Sequence, residues 1–166
     1  MKILVNQILE NKEAAALPHL LESGGLPALI SGLSAVHRAN LAAALRYETD
    51  LPIFVISPDD TAAENFANDL RAMLKEEVLT LGMRDFTFNP VEAASRQQEQ
   101  KRLSTLYALA AGKSAVTVAS VSGLIQRSLG PNELKKAAFE IDINKSYAIE
   151  DIEDALIRCG YNKTQQ

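Results

Sequence analysis

"LPIFVISPDDTAAENFANDL", Leu51 to Leu70, is the stretch on which the fold turns. Between Pro52 and Pro58 the run Ile53-Phe-Val-Ile56 is apolar, largely β-branched and too short for a helix. That is the composition of a strand buried on both faces of a sheet. Beyond Pro58, Asp59 or Asp60 can accept hydrogen bonds from the first free N–H groups of a helix. Ala63, Phe66, Leu70 and Leu74 then recur at helical spacing as far as about Lys75. A buried strand feeding directly into an amphipathic helix is half of a βαβ unit. Repetition of that unit builds a parallel sheet with helices on its faces.

The repetition is present on both sides. Downstream, "VLTLG" (78–82) reads as a strand, "MRDFTFNPVEAAS" (83–95) has no period and reads as a loop, and 96–111 reads as a helix ended by Gly112. "AVTVAS" (115–120) is the next buried strand, and a short helix over 121–128 is stopped by Gly130-Pro131. Upstream, 3–21 reads as one helix with Leu4, Ile8, Ala15, Leu17 and Leu21 on a face, broken by Gly24-Gly25. A strand at 28–31, a turn, and a helix over 39–46 follow. After Pro131 the pattern changes. Phe139, Ile141 and Ile143 alternate with Glu140, Asp142 and Asn144, as in a half-exposed strand of an antiparallel sheet. "SYAIEDIEDALIRCG" (146–160) then reads as an amphipathic helix with Ile149, Ile152, Leu156 and Ile157 inward. The expected architecture is α/β: a parallel sheet covered by helices over 1–136, followed over 137–166 by the start of a small α+β domain.

Composition narrows the function classes. Hydrophobic residues make up 47% and charged residues 23%, ordinary for a globular chain of 166 residues, and the net charge is -4. A nucleic-acid binder working through a general basic surface carries more cations than that. Seven Lys/Arg and thirteen Asp/Glu lie up to Ala94, against ten and eight from Ser95 onward. The bias toward the second half is too small to name a partner. Cys159 is the sole cysteine, so no intrachain disulfide is expected, and its place at a helix end suits a structural thiol. No secretory leader and no apolar run near ~18 residues is visible, which points to a cytoplasmic protein without a membrane partner.

One turn resembles a nucleotide site. If Gly32 opens a phosphate loop, then His37, Arg38 and Ala39 stand where such a loop has Gly, Lys and Ser or Thr. His37 places an imidazole where backbone must approach phosphate. Arg38 keeps charge without the compact ammonium, and Ala39 has no hydroxyl for magnesium. Ser34, inside the turn, completes the vestigial set. "AGKS" (111–114) ends like a phosphate loop, but Tyr107 occupies the position of its first glycine, and a helix precedes it where a strand is required. Asp59-Asp60 follows a strand as metal-binding carboxylates do, yet a helix start explains the pair. No strand ends in the Asp-Glu pair of an ATPase, and no serine sits in a nucleophile elbow. Neither a catalytic residue nor a metal ligand is expected. A divergent ATPase using Arg38, or a small-molecule domain whose Ser57–Asp60 and Ser120–Gly123 turns line a crevice, remain the alternatives.

"SRQQEQKRLSTLYALAAGKSAVTVASVSGLIQR" (95–127) resembles the N-terminal module of the bacterial transcription-repair coupling factors, and is similar to the excision-repair helicase subunit UvrB. "PALISGLSAVHRANLAAAL", "IFVISPDDTAAENFANDL" and "FNPVEAASRQQEQKRLS" fit the same module, and "KSYAIEDIEDALIRCGYNKT" resembles the entry to its second domain. The resemblance implies a UvrB-like, P-loop/RecA-like fold whose degenerate loop, Gly32 to Ala39, binds no cofactor. It implies a non-enzymatic scaffold within a factor that displaces stalled RNA polymerase from damaged DNA and recruits UvrA for nucleotide excision repair. ATP and magnesium belong to motor domains beyond Gln166. The UvrA contact belongs to a second domain of which this chain holds only the beginning, so no UvrA-binding residue is assigned. Lys101, Arg102 and Arg127 are the candidates for direct DNA contact. A solvated helix face is the favoured explanation of all three, and pairing with an internal carboxylate is a further option for Arg102.

Overall fold

The computed structural model describes residues 5–24, 27–83, 92–139 and 141–163, with the side chains of 92–96 left aside. Three parallel strands form its sheet: β1 (Ile53–Ser57), β2 (Val78–Leu81) and β3 (Val116–Ser120), in the order β1-β3-β2. The register sets Ile53 and Val78 beside Val116, and Val55 beside Val118. Because side chains alternate along a strand, these residues share one face. Against that face pack Ala63, Ala67 and Leu70 of helix Asp60–Met73, and Ala39, Ala43 and Ala44 of helix Ala35–Thr49. Small side chains on both helices let the backbones come close to each other and to the sheet.

The other helices are α1 (Lys12–Ala15) and α2 (Leu17–Ser23), then α3 (Ala35–Thr49) and α4 (Asp60–Met73), α5 (Glu92–Ala110), α6 (Val121–Ile125), α7 (Pro131–Ala137) and α8 (Ile149–Arg158). Helix α4 begins as the sequence demands: the Asp59 carboxylate accepts from the Ala62 N–H at 2.7 Å. The lower end of α3 is fixed by Arg46, which pairs with Asp50 at 2.6 Å and with Glu76 at 2.9 Å. Tyr47 donates its hydroxyl to the Met73 carbonyl, so α3 and α4 are joined by polar as well as apolar contacts.

Several sequence expectations are corrected, among them the start of α3, which lies at Ala35 and not at 39, and the inward face of α8, on which Ile149, Leu156 and Ile157 are exposed. The opening helix is broken into a 3-10 turn (Gln7–Glu10), α1 and α2, because the Asn11 side chain accepts from Glu13 and Ala14 and starts a new helix there. The strand expected at 28–31 does not form: that segment is unpaired and Leu29 is 96% exposed. Its Pro27-Ala-Leu composition has none of the β-branched density of β1. Strand β1 is an outer strand whose Phe54 and Ile56 are exposed, so it is buried on one face and not on two. Pro131 starts α7 at the first-turn position open to proline, with Glu133 accepting from the Gly130 N–H. Among the described residues, 138–144 contains no strand; Asn144 and Asp142 instead close a turn through the Asp142 carboxylate. Of the predicted loop 83–95, residues 84–91 lie outside the described residues, and Glu92 already belongs to α5.

Candidate functional site

The turn before α3 is built around its helix cap. Gly32 adopts φ +81°, the left-handed region that suits glycine. Ser34 is the N-cap, accepting from the His37 N–H at 3.4 Å, and its hydroxyl also lies 3.0 Å from His37 Nδ1. The imidazole therefore folds back over the helix start. Arg38 and His37 are exposed, whereas Ala39 is fully buried in the core beside Ala43. A side chain at 39 cannot face a ligand from that position. The strand that would hold a phosphate loop from behind is missing, since 28–31 is unpaired. Of the five vestigial residues, the Ser34 hydroxyl and the His37 imidazole are directed to each other and to the helix start.

A second place to look is the C-terminal end of the strands, where open α/β sheets take their ligands. Between α4, the exit of β2 and α5 lies a cavity of about 310 Å³ lined by Asp60, Glu64, Gln98, Lys101 and Arg102 among others. Its polar groups hold the exit of β2. Asp60 accepts from the Met83 N–H at 3.1 Å, and Arg102 Nη1 donates to the Gly82 carbonyl at 2.7 Å. Gly123 lies so close that a Cβ there would stand 2.5 Å from the Leu81 carbonyl oxygen. Thr105 donates to the Thr80 carbonyl at 3.0 Å from within the core. Ser120, fully buried, caps α6 by accepting from the Gly123 N–H. The Ser57–Asp60 and Ser120–Gly123 turns do reach the strand ends, and there they cap helices.

Glu64 faces the same cavity, bonded to Arg71 at 3.0 Å and paired with Lys101 at 3.4 Å. Burial pushes its carboxyl up, but the hydrogen bond from Arg71 and the positive charges of Lys101 and Arg71 outweigh that and hold it below its ordinary value. Of the three cationic candidates, Arg102 is only 8% exposed and points into the fold, while Lys101 leans on Glu64 and Arg127 is at the surface. Arg102 shares one cavity with Lys101 and a second with Arg127. Sequence reasoning placed Gly123 in a crevice turn without its close approach to Leu81, and missed Thr105 and the Glu64–Arg71 pair. The i,i+7 spacing of the last was the one signal available. Among the described residues no group of three His, Cys, Asp or Glu could hold a metal ion, and no helix is long and apolar enough to cross a membrane.

Fold and site define an α/β domain of the nucleotide-fold type, with a parallel sheet and capped helix starts where a nucleotide site would lie. Over 159 residues, 95% of its length, the chain is 26% identical to the transcription-repair-coupling factor of Bacillus subtilis (strain 168). That match supports a relationship to the coupling factors at low identity, and the chain spans 13% of the relative's length. No family model and no solved structure matches the chain.

Proposed function

We propose that this chain is a non-catalytic scaffold module of a transcription-repair coupling factor, working in the cytoplasm without binding nucleotide. The observation that carries the reading is the coupling-factor match over nearly the whole chain. The turn at 32–39 favours it over an ATPase: Ala39 is buried where a metal-holding hydroxyl would stand, and Ser34 and His37 satisfy each other and the helix start. In a full-length factor of this kind, the module would carry the following domain toward UvrA, while polymerase and DNA would be engaged elsewhere. Any DNA contact made by this chain would rest on Arg127 and Lys101, since Arg102 is turned inward.

The test is a thermal melt of the purified chain with and without magnesium and ATP, joined to a phosphate-release assay. Ligand at ten times its Kd stabilises the folded state by about 1.4 kcal/mol, so an unchanged transition at millimolar ATP excludes binding in the physiological range. The expected result is no shift and no hydrolysis. A magnesium-dependent rise in the transition that His37→Gly strengthens would overturn the reading in favour of a working phosphate site.

A further inference from the structure

We draw no further inference here: the strongest candidate, the outward face of strand β1 on which Phe54 and Ile56 are exposed, is an unpartnered apolar face among the described residues, and nothing in the structure shows what covers it.

Discussion

Among the described glycines, Gly123 has the least room for a side chain. Besides the Leu81 oxygen at 2.5 Å, an added Cβ would meet the Gly82 carbonyl carbon at 2.9 Å, both of them backbone atoms that no rotamer change can move. Gly123→Ala should therefore cost about 1–3 kcal/mol, the range for overfilling a packed interior, read as a lowered midpoint in urea. Gly112→Ala is the control: its φ of +68° strains an L-residue, but nothing lies within 4 Å. Its cost should stay near ~1 kcal/mol. Glu64 gives a second prediction at this scale. Its folded pKa is lowered from 4.5, so its contribution is present above that value and is lost as pH falls through the lower folded value. Urea titrations of wild type and Glu64→Gln should differ at neutral pH and converge in acid. Because Glu64 is substantially exposed, the difference should be small and should shrink further in salt. Equal pH slopes for the two proteins would mean that Arg71 and Lys101 exert no net pull on the carboxylate.

The start of α4 is the most legible helix end, since Asp59 sits where its sequence pattern places it. Ser34 caps a helix that begins at Ala35 and not at the expected 39, and Ser34 and Asp59 both accept from the N–H three residues on. Ser34→Ala should lower stability by about 1 kcal/mol, as loss of a cap does. It should do so by the same amount with or without magnesium and ATP, since the hydroxyl serves the helix. Unequal losses, measured by melting both proteins in both conditions, would give Ser34 a ligand-binding part. Strands β2 and β3 were readable from their short apolar runs, as was α4 from its period of Ala63, Phe66 and Leu70. The failures share a cause. Whether 28–31 or 138–144 pairs as a strand depends on a neighbour from elsewhere in the chain, which local composition does not encode. Pro131 was read as an ending because proline both closes helices and opens them, and only the Glu133 bond to Gly130 decides between the two. At the candidate site, the departures of His37, Arg38 and Ala39 from a phosphate-loop pattern were apparent from residue type. An internal partner for Arg102 was one of the options, but its acceptor, a backbone carbonyl twenty residues away, was not legible.

Over the whole molecule, the sheet is covered unevenly. Strand β3 is buried along its full length, while β1 beside it leaves Phe54 and Ile56 in solvent on the face opposite Ile53 and Val55. Parallel sheets are ordinarily covered on both faces, and an open strand edge bearing apolar side chains invites pairing with other chains. Two substitutions separate these faces. Ile56 is 62% exposed, so Ile56→Lys should leave stability within about 0.5 kcal/mol of wild type. It should also raise the concentration at which the protein precipitates, by placing charge on the outer strand. Val118 is fully buried on the covered face; Val118→Thr keeps shape but buries a hydroxyl and should cost about 1–3 kcal/mol. Urea unfolding and a precipitation series read both quantities on the same preparations. A large loss of stability in Ile56→Lys would mean that the outer face of β1 is buried in solution by a contact within the folded chain, and that the layer over this sheet is more complete than two helices on one side and α5 along β2.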